Sequence, residues 1–243
     1  MRIHMYGILW NERPLLPYFF RHYDPFIERY TLYDNGSNDG TLEFLARHPR
    51  VETRPFARQG GSICETARAL KSQAWKESRS GADLVLVCDI DEFLWHHDVH
   101  RFLRHTRTEG ITLYQPRGWE MVASTFPTID GPITGEVQHG YRSVDFDKPC
   151  LFDPNAIEEI DYAVGCHTAN PRGRVAMCCD EGLRLLHFKK LGVPYVLARS
   201  RALSERLGPR DRRQRWGHQY DRSEAEIRRD IEQTPLTRLF PPS

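Results

Sequence analysis

Three carboxylates, Asp89, Asp91 and Glu92, directly follow a run of five apolar residues at 84–88. A short, continuous apolar run rich in β-branched residues predicts a buried strand. Asp89 and Asp91 are two positions apart, so an extended backbone would send both side chains to the same side. Two like charges repel unless a cation lies between them, and a hard divalent ion prefers such oxygen ligands. The alternative is a strand that ends in a solvated acidic turn.

Two further polar clusters follow predicted strands. The first part of the chain is predicted to alternate strand and helix, beginning and ending with a strand: 3–10, 15–23, 26–33, 41–45, 51–56, 62–80 and 84–88. Residues 11–12 and the Asx- and glycine-rich residues 34–41 follow the first two strands. Alternation of this kind predicts a parallel sheet, in which ligands bind beyond the carboxyl ends of the strands. All three polar clusters should therefore meet at one edge of the sheet.

Composition sets limits on the class of protein. The chain has 243 residues, 40% hydrophobic and 28% charged, and a formal net charge of +1. These values are those of an ordinary globular domain, and the charge gives no reason to expect a nucleic-acid partner. No apolar run approaches the roughly 20 residues that span a bilayer, and no secretory signal is visible, so we expect a cytoplasmic protein. The six cysteines show no CxxC pairing, which argues against a zinc site.

The second part of the chain is less regular. We predict helices at 99–107 and 224–232, strands at 111–115, 150–152, 157–162 and 183–188, and a basic helical region from residue 193. Residues 117–140 are expected to form a long loop, which in a compact domain is usually functional or flexible. The aromatic residues Trp119 and Phe126 in that loop suit a flat sugar face or local packing equally well.

The ordered motifs resemble those of a known enzyme family. Asn11-Glu12, the segment Tyr-Asp-Asn-Gly-Ser-Asn-Asp-Gly-Thr at 33–41, and Asp-Ile-Asp-Glu-Phe at 89–93 resemble family 2-like glycosyltransferases of the GT-A fold, near the family 92-like branch. The resemblance continues through residues 147–149, 165–167 and 185–189. It implies an α/β fold of the GT-A nucleotide-diphospho-sugar transferase type, with a mostly parallel central sheet flanked by helices and a basic helical C-terminal extension.

The sequence shows no internal repeat and no clear linker, which predicts one domain, and the resemblance implies how it is divided and what its activity is. Residues 1–243 would form one domain, with a nucleotide-binding half at 1–95, an acceptor half at 96–192 and a basic helical tail at 193–243. The expected activity is metal-dependent transfer of a hexose from a UDP- or GDP-sugar to a glycan, a lipid-linked glycan or another hydroxyl acceptor. Bacterial surface polysaccharide synthesis is the expected setting.

Donor and metal ligands follow from the same resemblance. The residues expected to bind the donor are Trp10, Asn11, Glu12, Asp34, Asn35, Ser37, Asp89 and Lys189. Asp89 and Asp91 would hold Mg²⁺ or Mn²⁺ against the diphosphate, where the ion stabilises the charge of the departing nucleotide. A late histidine would complete the metal shell, with His187 as first candidate and His167 as its rival. Imidazole prefers softer ions, which favours manganese.

The catalytic base is a separate question. An inverting transferase needs a carboxylate or histidine to take the proton of the acceptor hydroxyl. Glu120 and Asp180 are the first candidates, Asp130 and Glu181 lie in the same region, and Glu92 could act by orienting a metal-bound water or the donor sugar. Each of these carboxylates could equally be a solvated loop residue. A retaining enzyme would need no base.

The arginine-rich residues 199–215 allow two interpretations. They form a solvated helix face with ion pairs, or a surface for an acidic polysaccharide, a diphosphate-lipid carrier or anionic phospholipid. Leu203, Leu207 and Trp216 beside the arginines make peripheral membrane contact conceivable. For the chain as a whole, the alternatives are a nucleotidyltransferase-like enzyme and a non-catalytic nucleotide- or carbohydrate-binding module. The first would place a glycine-rich phosphate loop after the first strand, where residues 11–14 stand instead.

Overall fold

The first part of the chain alternates strands and helices, as predicted. The structure is a computed structural model and describes residues 1–58 and 60–240. The elements are β1 Ile3–Leu9, α1 Leu16–Tyr23, β2 Arg29–Asp34, α2 Thr41–Leu45, β3 Val51–Pro55, α3 Ile63–Gln73 and β4 Leu84–Val87. β1 pairs in parallel with β2 and with β4, and β2 pairs in parallel with β3. The predicted α/β fold class with a mostly parallel central sheet is therefore confirmed.

The rest of the chain has more strands than expected. The strands are β5 Glu92–Trp95, β6 Leu113–Tyr114, β7 Arg117–Ala123, β8 His139–Arg142, β9 Leu151–Phe152, β10 Ile157–Glu159, β11 Arg172–Gly173, β12 Met177–Cys178, β13 Arg184–Leu191 and β14 Thr237–Arg238. The α-helices are α4 Val99–Thr108, α5 Val193–Arg206, α6 Pro209–Arg213 and α7 Glu224–Gln233. Short 3₁₀ helices cover Ala74–Ser78, Ile133–Gly135, Val144–Phe146 and His218–Tyr220. The prediction of a loop at 117–140 is wrong for residues 117–123, which form strand β7.

The strands form two larger sheets that meet where β4 passes into β5. One sheet has the order β12-β6-β9-β4-β1-β2-β3, and the other has the order β14-β8-β7-β13-β5. β4 lies near the centre of the first sheet, and β5 is the edge strand of the second. Only the turn at 88–91 separates them, so the acidic residues of this turn lie between the two sheets. None of the helices in the described part of the chain is long and apolar enough to cross a bilayer.

Helix α1 packs against the start of β5 and fixes its position. Its aromatic side chains Phe19 and Tyr23 are fully buried, and Phe19 and Phe93 pack edge to face with ring centroids 6.3 Å apart. Each buried side chain of this size contributes roughly 1.5–3 kcal/mol by leaving water. The Tyr23 hydroxyl donates to the Glu92 carbonyl at 2.7 Å and accepts from the Leu94 amide at 2.8 Å. The strand that follows the acidic turn is thereby fixed on the helix.

The C-terminal segment is held against the start of helix α3 by a buried carboxylate. Asp211 in α6 is fully buried and accepts from the Ser62 hydroxyl at 2.5 Å and from the Ile63 amide at 3.0 Å. Ser62 also caps α3, because its hydroxyl accepts from the Glu65 amide at 3.1 Å. This arrangement brings the end of α5 to the carboxyl edge of the parallel strands.

Gly118 in β7 lies where two backbones approach closely. A Cβ at this position would lie 2.4 Å from Cβ and 2.5 Å from the carbonyl carbon of Phe146. We expect Gly118→Ala to destabilise the fold by about 1–3 kcal/mol, because overpacking forces the backbone to shift. The measurement is urea unfolding. Gly131→Ala is the control, since the nearest atom to its Cβ is at 3.5 Å, and its effect should stay below about 1 kcal/mol. Equal effects of the two variants would contradict the close approach.

Candidate functional site

The three acidic residues lie in a tight turn. Strand β4 ends at Val87, and the Glu92 amide donates to the Asp89 carbonyl at 3.2 Å. The backbone is therefore not extended here, and the expectation that Asp89 and Asp91 point the same way is wrong. Asp89 faces Lys71 of α3, with Nζ to Oδ1 at 2.5 Å. Asp91 faces His187 of β13 instead, with Nε2 to Oδ2 at 3.3 Å.

Two buried lysines neutralise one side of this turn. Lys148 contacts the buried carboxylate of Glu92 and lies 3.9 Å from Asp89. Glu92 also accepts from the Asp89 amide at 3.0 Å, which closes the turn. Burial would raise the pKa of Asp89, but Lys71 and Lys148 outweigh it and lower that pKa. The cations that the structure places beside Asp89 are these two lysines, and the expected metal ion at this carboxylate stays a prediction. Lys148 lies in the segment 147–149, which is part of the family resemblance but has no role assigned by it. No feature of the sequence indicated that Lys71 belongs to the site.

His187 lies between two carboxylates. The strand registers place it opposite Glu92 of β5 on one side and opposite Glu120 of β7 on the other. Its Nδ1 contacts the Glu120 carboxylate and its Nε2 faces Asp91. Burial alone would lower the pKa of His187, but the two carboxylates outweigh it and raise the pKa to about 10. The ring is thus oriented by Glu120 and directed at Asp91.

The predicted donor residues at the ends of β1 and β2 lie together. Asn11 has a left-handed backbone with φ of 53°, and its amide donates to the Ser37 hydroxyl at 2.9 Å. Its side chain exchanges two hydrogen bonds with Asn38, at 2.9 and 2.8 Å. Asp34 accepts from the Gly36 amide at 2.9 Å and from the Ser37 amide at 3.1 Å. The two loops therefore form one continuous ledge at the edge of the sheet.

Arginines of α5 point into this ledge. Arg199 donates to the Trp10 carbonyl at 2.7 Å and contacts the buried carboxylate of Glu12. Arg206 lies over the Trp10 ring, 4.1 Å from the guanidinium carbon to the centroid, and donates to the Asn35 carbonyl. Burial raises the pKa of Glu12 to about 8, and Arg199 opposes that shift. For these two arginines the solvated-face interpretation is wrong, because they belong to the candidate site.

Lys189 lies two residues after His187 in β13. Its ammonium lies 4.8 Å from the centroid of the Tyr220 ring. Burial lowers the pKa of Lys189, and the nearby Asp91 charge opposes this. A partly desolvated ammonium beside Asp91 suits the predicted contact with phosphate.

The candidate bases are scattered. Glu120 is buried against His187 and Glu92 is buried against Lys148, so neither carboxylate is exposed to solvent. Asp180 and Glu181 are exposed before β13 begins. Asp180 lies beside His96, whereas His187 lies further along β13, about 10 Å beyond Arg184. Asp130 is exposed and pairs with Arg21 at 2.5 Å. In the structure Glu120 and Glu92 are buried in ion pairs and Asp180 lies away from His187, and the roles of all three as catalytic groups stay predictions.

The four predicted metal ligands do not form one cluster. His167 contacts the Asp145 carbonyl and is separated from His187 by the Phe146 ring, which lies 5.3 Å from one imidazole and 4.2 Å from the other. Within residues 1–58 and 60–240, no group of three or more His, Cys, Asp or Glu side chains could hold a metal ion. Of the four predicted ligands, Asp91 and His187 are the two whose ligand atoms, Oδ2 and Nε2, lie next to each other. They fit an ion that takes its other ligands from phosphates and water, as Mg²⁺ commonly does.

Comparisons with known proteins identify similar solved structures. No protein-family model matches the chain, and no curated protein does. S. aureus TarS is 10% identical over 83% of this chain and 39% of the other, with a TM-score of 0.47. TarS 1-349 in complex with UDP-GlcNAc is 10% identical over 96% of this chain and 71% of the other, with a TM-score of 0.46. The complex with UDP is 10% identical over 96% of this chain and 70% of the other, with a TM-score of 0.47.

Proposed function

We propose that this chain is a metal-dependent glycosyltransferase of the hexosyltransferase type that uses a nucleotide-sugar donor. The observation that carries the proposal is the convergence of three polar strand ends on one edge, next to the Asp91–His187 pair. Ligands of parallel α/β sheets bind at this edge. The ledge formed by residues 10–12 and 34–38 would receive the nucleoside, and the acidic turn would receive the diphosphate.

The balance of charge in the site supports a metal ion. The cationic side chains here are Lys71, Lys148, Lys189, Arg199, Arg206 and protonated His187, and the carboxylates near them are Asp89, Glu92, Asp91, Glu12, Glu120 and Asp34. Most of these cations already have a carboxylate of the protein as partner, so little positive charge is left for a diphosphate. Breaking the sugar–phosphate bond adds one negative charge to the departing diphosphate, which already carries about two. An additional divalent cation would neutralise most of this charge.

Asp91 and His187 are the residues that would hold Mn²⁺ or Mg²⁺. When bound, the ion supplies Lewis-acid stabilisation of the leaving diphosphate. His187 would bind the ion through Nε2 after releasing the proton that this nitrogen carries toward Asp91, while Glu120 stays on Nδ1. Lys189 would donate to a phosphate oxygen, and Trp10 would form the floor below the base. UDP- or GDP-sugars as donors, a glycan or lipid-linked acceptor and a place at the inner face of the membrane stay predictions of the sequence.

Calorimetric titration tests the proposal. We expect UDP or GDP to bind in the presence of Mn²⁺ and at least roughly tenfold more weakly without it, because most cations of the site already have a carboxylate as partner. UDP and UDP-GlcNAc are the first ligands to use, since TarS 1-349 has been crystallised with both. Failure of every nucleoside diphosphate to bind with Mn²⁺ present would contradict the proposal. Binding that is indifferent to the metal would contradict the metal dependence alone.

A further inference from the structure

A line of alternating charges leads from the acidic turn to the last helix. Its members, in order, are Asp91, His187, Glu120, Lys190, Asp230 and Arg222. Lys190 Nζ lies 3.7 Å from Glu120 Oε2 and 2.7 Å from Asp230 Oδ2. Asp230 accepts in turn from Arg222 at 2.8 Å. The line connects α7 to the candidate site through side chains alone.

The middle of this line is shielded from water. The side chains of Glu120, Lys190 and Asp230 are 6%, 12% and 22% exposed. Lys190 also donates to the Tyr141 hydroxyl at 2.5 Å, so two acceptors, Asp230 and Tyr141, fix its ammonium, and the Glu120 carboxylate attracts it from 3.7 Å. In such surroundings, charge pairs are strong, and removal of one member displaces its neighbours.

Glu120 matters to the site through His187. It holds Nδ1 and leaves Nε2 directed at Asp91. Metal-binding histidines usually have their second nitrogen fixed by a carboxylate in this way. Glu120 in turn has Lys190 on its other side, and Asp230 draws that ammonium toward α7. The position of the Glu120 carboxylate therefore depends on both residues.

We propose that Lys190 and Asp230 are positioning residues, through which α7 sets the orientation of the His187 ring by way of Glu120. The proposal rests on the proposed function only where it concerns metal affinity. The orientation of the ring is a property of the chain itself. Helix α7 contributes a structural contact as well, since Ile227 and Ile231 pack with Val122 of β7. That apolar contact is separate from Asp230, so the two roles can be tested apart.

Two substitutions in the same helix form the test. Asp230→Asn removes the charge that holds Lys190, and Glu232→Gln removes a charge whose partner is the exposed Arg228. Lys190→Met interrupts the line at its centre. Long-range ¹H–¹⁵N NMR of the imidazoles, with His187 assigned by the loss of its signals in His187→Gln, reports the protonation and hydrogen bonding of both ring nitrogens without metal, and these change when the ring loses its contact with Glu120. Electron paramagnetic resonance of Mn²⁺ in the presence of UDP reports metal affinity, and thermal melts confirm that each variant is folded.

We expect Asp230→Asn and Lys190→Met to shift the His187 signals and to weaken Mn²⁺ binding by at least about threefold. This is less than the roughly 10- to 100-fold typical when the direct partner of a metal-bound histidine is lost. Glu232→Gln should change neither the His187 signals nor the affinity for Mn²⁺. The proposal would be overturned if the His187 signals and the Mn²⁺ affinity were unchanged in Asp230→Asn and Lys190→Met. It would also be overturned if Glu232→Gln had effects as large as those of Asp230→Asn. If wild-type protein binds no Mn²⁺ with UDP or GDP but the His187 signals still respond to Asp230→Asn, the proposed function fails and the positioning role stands.

Discussion

Replacing Asp91 with asparagine should lower metal-stimulated donor turnover roughly 10²- to 10³-fold and leave the fold intact. The carboxylate is the one negative ligand that the structure places beside His187 Nε2, at 3.3 Å, in the described part of the chain. A Lewis-acid metal contributes several kcal/mol of charge stabilisation, and each 1.36 kcal/mol corresponds to a factor of about ten in rate. The side chain is 27% exposed, so its loss should disturb packing little. The measurement is release of nucleoside diphosphate from a sugar donor as Mn²⁺ is titrated.

A matched substitution separates the site from a general loss of charge. Asp161 is exposed and has a φ of 49°, a backbone conformation that asparagine also tolerates. Asp161→Asn should therefore leave turnover and its Mn²⁺ dependence unchanged. Full turnover by Asp91→Asn at saturating Mn²⁺ would show that Asp91 is not a metal ligand. A parallel loss in thermal stability would instead indicate that Asp91 holds the turn together.

The parallel half of the fold could be predicted because its signals are local. The run at 84–88 has no polar residue and forms a buried strand, and the polar residues that follow β1 and β2 lie at one sheet edge. The turn after Val87 could not be predicted. An apolar pattern shows that a strand is buried, but it does not show at which of the polar residues that follow the backbone leaves the extended conformation. The directions of Asp89 and Asp91 depend on that detail.

The partners of the acidic residues could not be predicted from the sequence for another reason. Glu120 meets His187 across 67 positions of sequence, and Lys148 meets Glu92 across 56. Such pairs arise from strand register and from the packing of one sheet against the other, which no local window contains. Glu120 was expected in a loop because glycine, proline and threonine are frequent at 117–140. Its true place in β7 is set by pairing with β13, which is a tertiary property.

Lys148→Met should have the largest effect on stability, about 3–5 kcal/mol. The Lys148 side chain is 6% exposed and the Glu92 side chain 1% exposed, so the substitution would leave a carboxylate buried without its partner. Breaking a buried ion pair by removing one partner costs this much because the remaining charge cannot reach water. Lys76→Met is the control, since Lys76 pairs with Glu159 while 23% and 30% of the two side chains are exposed. Its effect should stay below about 1 kcal/mol. Urea unfolding measures the free energy of unfolding of both variants.

A double variant tests the cause directly. Lys148→Met combined with Glu92→Gln removes both charges, and the glutamine oxygen can still accept from the Asp89 amide, as Glu92 does at 3.0 Å. The double variant should therefore be more stable than Lys148→Met alone, although it carries one more substitution. Additive losses would mean that Lys148 contributes by packing against Phe146, 5.7 Å from its ring centroid, and not by neutralising the turn. The protein would then need another source of positive charge for Asp89, and Lys71, at 2.5 Å from it, would be the residue to replace next.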